Sequence, residues 1–381
     1  MKSKCKLGDI ISQRREKYNG ENLPICGVTR DGFIPPKQKD ADLSLYNVFY
    51  KDDFVFNPAR MELNAIVFND IYEKAICSSL YEIFYVSKPD IVLPSFLALL
   101  VKQAWFTRYC EFLGSGSARE YCRVVNISEI EIEYPDLDEQ RRIVNEYDVI
   151  RNRIALKRRI NDNLEAIAQS VFQEQFASFY RSDELPNGYS FAGLDSICTV
   201  KGGKRLPADC ELLDTPTKHP YIRVRDVGNS RYVYLTDQFQ YIDEETHSAI
   251  SRYIVNTDDI IISIVGTIGL LGKIHSSLDN ANLTENCVKL TNIHTVTSDY
   301  LYYTLCYKKQ AKEIELLTVG AVQAKLPIYN IQSIKILVPP KEAIEDFQNK
   351  LNVLNEQIEA NTIEINKLYE LQSLFLAKLS D

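Results

Sequence analysis

The chain has 381 residues, enough for two or three domains at roughly 100–200 residues each. Apolar residues make up 45% and charged residues 25%, a balance that excludes disorder over most of the length. The 44 basic and 52 acidic residues leave a net charge of −8. Half of that sits in the last 43 residues, where four lysines face eight carboxylates, so charge alone neither supports nor excludes a polyanionic partner.

Apolar stretches are too short for a membrane span of ~18–20 residues: Ile91–Val101 is broken by Pro94, and Ile260–Leu271 by Gly266 and Gly269. The opening MKSKCKLGDI contains no apolar run, so no signal peptide is expected. Nine cysteines stand singly with no CxxC pair, which points to reduced thiols in a cytoplasmic protein and not to disulfides or zinc.

In chain order, Asn64–Phe68 and Tyr81–Val86 read as strands, and Ser95–Phe112 as one helix with an apolar face. Ile127, Ile130 and Ile132 suggest a strand that Pro135 ends, with Asp138 or Glu139 opening a helix. From there the apolar positions Ile143, Tyr147, Ile150, Ile154, Leu164, Ala168 and Val171 keep 3-4 spacing, with polar Lys157 and Asn161 on the same seam. The pattern breaks at Leu185-Pro186-Asn187-Gly188. Residues 221–226 alternate as a strand with Tyr221, Arg223 and Arg225 on one face. Ile260–Val265 and Cys287–Leu290 read as further strands, with a tight turn at Gly266-Thr267-Ile268-Gly269. A second long helix carries Phe347, Leu351, Leu354, Ile358, Ile365, Leu368 and Phe375, interrupted by Asn361 and Gln372. Sustained 3-4 spacing indicates a coiled coil, in which polar seam residues fix register and partner.

A repeat organises these elements. Shifted by 204 positions, residues 116–177 lie on 320–381 without a gap: Gly116 meets Gly320, Asn126-Ile127 meets Asn330-Ile331, Pro135 meets Pro339, and Ile154 meets Ile358. A longer and dissimilar segment precedes each copy. Both segments open on a related stretch, Leu7-Gly8-Asp9-Ile10 and Leu194-Asp195-Ser196-Ile197. The plan is variable domain, shared helix, variable domain, shared helix.

Catalytic motifs are missing from the sequence. Phe112-Leu113-Gly114-Ser115-Gly116 spells a cofactor-loop pattern, but it follows a helix where such a loop should follow a buried strand. There is no phosphate-binding Walker sequence. Asp136 reads as a helix-start residue, and His219, His247, His275 and His294 are scattered surface or strand-end residues without metal-ligand spacing. No catalytic residue, metal or cofactor is expected.

The stretch Tyr134-Pro135-Asp136-Leu137-Asp138-Glu139-Gln140-Arg141-Arg142-Ile143 resembles the opening of the central helix in specificity subunits of type I restriction-modification enzymes. So do Gly203-Lys204-Arg205-Leu206-Pro207, Tyr221 to Asp226, and Gly320 to Gln323 with Leu326-Pro327. The second helix opens differently, on Pro340-Lys341-Glu342-Ala343-Ile344, without the Glu-Gln pair. The resemblance implies a mixed α/β fold with two target recognition domains, at 1–134 and 186–338. Two conserved helices, at 135–185 and 339–381, would form an antiparallel coiled coil with pseudo-two-fold symmetry. It also implies a non-catalytic subunit that reads a split site on double-stranded DNA, docks two methyltransferase subunits that modify adenine at N6, and is joined by motor-nuclease subunits. The alternative from the residues alone is a coiled-coil adaptor with two variable protein-binding domains.

Polar, basic loops supply the candidate DNA contacts, because glycine lets backbone approach closely and Arg or Gln offers bidentate base contacts. In the first domain these are Arg14, Arg15, Arg30, Arg60, Ser117 and Arg119; in the second, Lys201, Lys204, Arg205, Arg223, Arg225, Thr267, Gln323 and Lys325. Arg119 and Gln323 occupy matching repeat positions. The candidate helix and subunit interface comprises Ile143, Tyr147, Ile150, Ile154, Leu164, Phe347, Leu351, Leu354, Ile358 and Leu368.

Overall fold

The computed structural model describes residues 3–29, 32–36, 42–114, 121–228, 230–236, 238–310, 312–320 and 324–379. The chain forms two compact units: residues up to Leu156 together with those from Glu364 onward, and Lys157–Ile363.

The first unit contains β1 (Ser3–Lys6), β2 (Ile11–Arg14), β3 (Ile25–Thr29), β4 (Gly32–Ile34), β5 (Asn47–Tyr50), β6 (Asp53–Phe56), β7 (Ile66–Phe68), β8 (Lys74–Cys77), β9 (Glu82–Val86) and β10 (Glu131–Tyr134). Helices α1 (Pro94–Leu100), α2 (Ala104–Gly114) and α3 (Val124–Ile127) follow β9, and α4 (Leu137–Phe176) begins in this unit. The strands make sheets in the orders β2-β9-β6-β7 and β4-β3-β8-β5, plus the pair β1-β10.

The second unit contains β11 (Ser190–Gly193), β12 (Thr199–Gly202), β13 (His219–Ile222), β14 (Tyr232–Val233), β15 (Gln240–Ile242), β16 (Ile254–Val255), β17 (Ile260–Ser263), β18 (Leu271–Ile274), β19 (Ala281–Leu283), β20 (Cys287–Thr291) and β21 (Lys335–Val338). Its helices are α5 (Glu244–Ala249), α6 (Ser298–Gln310), α7 (Glu313–Leu316), α8 (Ile328–Gln332) and the first part of α9 (Lys341–Leu379). Here the orders are β12-β20-β17-β18-β14 and β15-β13-β19-β16, plus β11-β21.

The two units therefore share one topology. Among the described residues strand orders correspond one for one, apart from the added β14, which pairs parallel with β18, and the parallel pairing β3–β8 recurs as β13–β19. The sequence repeat covers only the helical third of this duplication. Hydrogen-bonded strand order persists where surface side chains have diverged, because main-chain pairing does not depend on which residue supplies the N–H and C=O.

Each unit is closed by both long helices. In the first, Ile143 and Tyr147 of α4 join a core built on Phe54, Phe56, Phe84 and Phe96, and Phe375, Leu376 and Leu379 of α9 pack against it. In the second, Ala168, Phe172 and Phe176 of α4 meet Phe347 and Leu351 of α9 around Tyr300 and Tyr303. The helices run antiparallel. In the second unit Gln175 pairs with Asp346 (2.7 Å) and Lys157 Nζ donates to Asn361 Oδ1 (2.9 Å). In the first, Arg153 pairs with Glu364, Tyr147 lies on Phe375, and Ile150 and Ile154 cluster with Ile365 and Leu368. Lys157 and Asn361 are the same position of the repeat, so the duplicated helix meets its own copy there. Asn361, 1% exposed, also donates to Asn161 Oδ1 at 2.8 Å. The polar seam residues thus find one another. Leu164 and Leu354 are half-buried, and Ile358 is buried. No helix among the described residues is long and apolar enough to cross a membrane.

Several sequence expectations need correction. Ile127 ends the short helix α3 and is not in a strand. The segment 95–112 is two helices, α1 and α2, interrupted at 101–103. The strand expected over 221–226 stops at Ile222, and Val224–Asp226 forms a 3-10 turn that Asp226 caps by accepting the Arg223 N–H at 2.8 Å. Arg223 and Arg225 therefore do not share a strand face with Tyr221.

Gln140 of the helix-opening motif is fully buried. Its Oε1 accepts the Leu93 N–H (2.8 Å), and its Nε2 donates to the carbonyls of Ile91 (2.9 Å) and Pro135 (2.8 Å). Its repeat counterpart, Ile344, is a buried apolar residue of the second core. The two copies solve the same junction by hydrogen bonding and by packing. Gln140→Leu should destabilise the first unit by on the order of 3 kcal/mol, because three buried main-chain groups lose a partner. Chemical denaturation followed by tryptophan fluorescence measures it, since Trp105 is the one tryptophan.

The second unit holds a buried charge network. Arg231, 2% exposed, lies 3.2 Å from Glu165 of α4 and donates to Tyr303 Oη at 3.1 Å. Lys273 Nζ is 2.6 Å from Asp299, which also accepts from Gln348 and Asn355 of α9 at 2.9 Å each. Burial opposes ionisation of both carboxylates and raises Glu165 despite Arg231; Lys273 and Arg231 outweigh it at Asp299, which lies below the ordinary carboxylate value. Arg231→Ala should cost roughly 3–5 kcal/mol by leaving Glu165 without its buried cation. Arg231→Met combined with Glu165→Leu should cost less than that single change. Urea melts of the two variants decide it.

Candidate nucleic-acid interface

In each unit three connections meet where two strands of the main sheet end. In the second, β12 and β17 both end beside the start of β20, with Gly202 opposite Val288 and Ser263 opposite Cys287. The Ile264 N–H donates to the Asn286 carbonyl (2.8 Å), and the Leu326 N–H donates to the Ile264 carbonyl (3.0 Å). The loop after β12, the β17–β18 turn and the segment before α8 are thereby tied together. In the first unit β2 and β6 end beside β9, and the Cys122 N–H donates to the Pro58 carbonyl at 3.0 Å. Cys122 and Leu326 are the same repeat position, so the corner is built twice.

The candidate contact residues concentrate at these corners. Lys204 and Arg205 follow β12, Thr267 lies in the β17–β18 turn, and Lys325 closes a bridge to Val319; all four are exposed. Lys201, on β12 itself, is also exposed. In the first unit exposed Arg15 follows β2 and exposed Arg60 lies in the β6–β7 connection. Arg30, Ser117, Arg119 and Gln323 lie outside the described residues.

Other candidates have partners that occupy them. Arg14 grips Asp53 through Nε (2.6 Å) and Nη2 (3.0 Å), with its guanidinium carbon within 4.7 Å of the ring centres of Tyr50 and Tyr85. Arg223 donates to Asp226 at 3.0 and 3.3 Å and to Gln240. Both arginines hold their own loops together. Arg225 remains 63% exposed.

Gly203 lets two segments of main chain lie against each other. A Cβ there would lie 2.0 Å from the Thr284 carbonyl oxygen, so only glycine permits the loop to lie on the β19–β20 connection. Gly203 N–H donates to the Cys287 carbonyl (2.9 Å), Lys204 N–H to the Leu283 carbonyl (2.8 Å), and Tyr221 Oη to the Lys204 carbonyl (2.7 Å). The next residue, Arg205, donates from Nε to Glu285 Oε1 at 2.7 Å while its side chain stays 81% exposed. Burial works against ionisation of Glu285, yet its bond from Arg205 holds it below the ordinary carboxylate value. Nothing in the local sequence marks Glu285, because its partner Arg205 is 80 residues away in the chain.

The decoys resolve structurally. Phe112–Gly114 finishes α2, and Ser115 and Gly116 lie outside the described residues. Asp136 Oδ1 accepts the Glu139 N–H (3.0 Å) at the start of α4. His219 opens β13, a strand end as expected, but it is buried and stacked on His247 of α5, which is buried and neither surface nor strand-end, with ring centres 3.8 Å apart. No group of three or more His, Cys, Asp or Glu among the described residues is arranged to hold a metal ion.

The chain thus alternates variable and shared parts and builds the same corner once in each unit. The pattern of the type I restriction modification DNA specificity domain matches residues 4–166 and again 186–372, and the chain belongs to this family. It is similar to the specificity subunit of the type I restriction enzyme MjaIX of Methanocaldococcus jannaschii, 24% identical over 310 residues that span 76% of this chain and 69% of the relative. The specificity subunit of the HindI enzyme of Haemophilus influenzae is 22% identical over 429 aligned positions, 93% of this chain and 90% of the relative. The crystal structure of the type I restriction-modification S subunit from M. genitalium shares the fold, with a TM-score of 0.53 at 16% identity over 100% of this chain and 96% of that one.

Proposed function

We propose that the chain is the non-catalytic DNA-reading subunit of a type I restriction-modification complex in the cytoplasm. Residues 1–134 and 186–338 each read one half of a bipartite duplex site, and the helical segments 135–185 and 339–381 dock two methyltransferase subunits. Those subunits transfer a methyl group to adenine N6 within the site, and motor-nuclease subunits join the complex for restriction. The observation that carries this reading is one topology built twice with unlike exposed loops. A duplicated frame suits paired half-sites, and different loops on that frame suit half-sites of different sequence. With a net charge of −8, the isolated chain should bind DNA weakly, since phosphate neutralisation supplies most non-specific affinity. Assembly with the methyltransferase subunits brings the basic surface that encloses the duplex.

The two domains should be exchangeable one at a time. Replacing residues 1–115 with the corresponding segment of another family member should change one half of the methylated motif and leave the other half intact. Sequencing methylated adenines in a host that expresses the exchanged complex reads this directly. A change in both halves would show that the domains do not read independently.

A further inference from the structure

Arginines at the two corners differ in what remains of their hydrogen-bonding capacity. A guanidinium presents five N–H donors in a rigid fork. Arg14 and Arg223 direct theirs to carboxylates of their own unit. Arg205 uses only Nε, on Glu285. Its Nη1 and Nη2 make no hydrogen bond to the described residues, and they form the outer edge of an exposed side chain.

That edge is held in place from below. The backbone before Arg205 is pinned by Gly203 against the Thr284 carbonyl, by the Lys204 N–H on Leu283, and by Tyr221 on the Lys204 carbonyl. Glu285 in turn has its Oε2 on the Thr284 hydroxyl at 3.1 Å. Main chain, side chain and partner carboxylate are all fixed to one β19–β20 connection, so the fork loses little freedom on binding. The carboxylate also discriminates between ligands. Glu285 repels a phosphate oxygen brought to the same arginine, whereas a guanine edge carries no net charge and offers O6 and N7 at the spacing of two parallel N–H donors.

We propose that Arg205 is a preset guanine reader of the second recognition domain, its Nη groups donating to O6 and N7 in the major groove while Glu285 holds its Nε. This assignment rests on the reading of the chain as a DNA specificity subunit. It predicts a guanine, or a cytosine on the opposite strand, at one position of the half-site read by residues 186–338.

The test uses the complete complex, with the chain co-expressed with its methyltransferase subunits in a host free of other adenine methylation. Arg205→Ala, Arg205→Lys and Glu285→Ala are compared with the unchanged chain by sequencing methylated sites and by competition binding at several salt concentrations. Arg205 is exposed, so its variants should fold. Preference for the guanine position should fall between about 5- and 150-fold in both Arg205 variants, with all other positions unchanged. Lysine keeps the charge but lacks the fork, so its failure to restore preference is part of the expected result. Glu285→Ala should weaken the same position by less. Full retention of the motif in both Arg205 variants would overturn the assignment. So would a uniform loss across all sequences with a salt slope reduced by about 1, the mark of a phosphate contact. An unchanged complex that methylates no defined motif would overturn the specificity reading itself, a result distinct from either.

Discussion

Neither unit has a closed core without the two long helices. Ile143 and Tyr147 of α4 seal the first unit, where Phe375 and Leu379 of α9 also pack; Phe172 and Phe176 of α4, with Phe347 and Leu351 of α9, seal the second. Each helix is therefore committed twice, and its sequence answers to two cores at once. This explains why the repeat is visible in the helices and faint elsewhere. A substitution at Phe172 or Phe347 would be felt by several aromatic neighbours in a close-packed interior, whereas exposed corner side chains such as Thr267 and Lys325 touch few neighbours.

Two polar features inside this apolar frame serve definition more than stability. Asn361 makes hydrogen bonds with Lys157 and Asn161 at the point where the duplicated helices meet their own copies. A helix pair slipped by one turn would leave these groups buried without partners, which is how a single polar seam residue selects register. The Arg231–Glu165–Asp299–Lys273 network acts similarly on the second unit. An ion pair joins Arg231, just before β14, to α4, and another joins Lys273 of β18 to Asp299, which accepts hydrogen bonds from Gln348 and Asn355 of α9; the desolvation cost of these ion pairs offsets much of their attraction. What such a network supplies is one geometry for the domain on its helices, and the exposed corner inherits that geometry.

The sequence made the helical frame legible and left the candidate corners half-read. The seam positions of α4 from Ile143 to Val171 and of α9 from Phe347 to Phe375 keep a three-to-four-residue spacing, and that period survives any change of surface chemistry. The turn at Gly266–Gly269 was also legible, because both glycines have φ near +78°, a conformation other residues seldom adopt. The shared topology of the units was hidden, since short strands such as β7 or β19 carry only three residues each. Nor could composition separate Arg205 from Arg14 or Arg231. Their partners are 80, 39 and 66 residues away in the chain, and only folding decides whether a guanidinium is buried, spent or free. The same long-range pairing brought His219 onto His247.

An acidic chain that reads DNA is less contradictory in this light. Net charge governs how strongly a protein is drawn to any duplex, while base discrimination depends on donors and acceptors held at fixed spacing. A carboxylate beside an arginine weakens the first and strengthens the second, because it opposes phosphate and restricts the fork to one orientation. Glu285 stands in that position at Arg205, bonded to its Nε. On the guanine-reader proposal the corner is organised for discrimination with little attraction of its own, in keeping with the net charge of −8. The exposed corner side chains can then change while the two helices that close both cores keep their apolar seam.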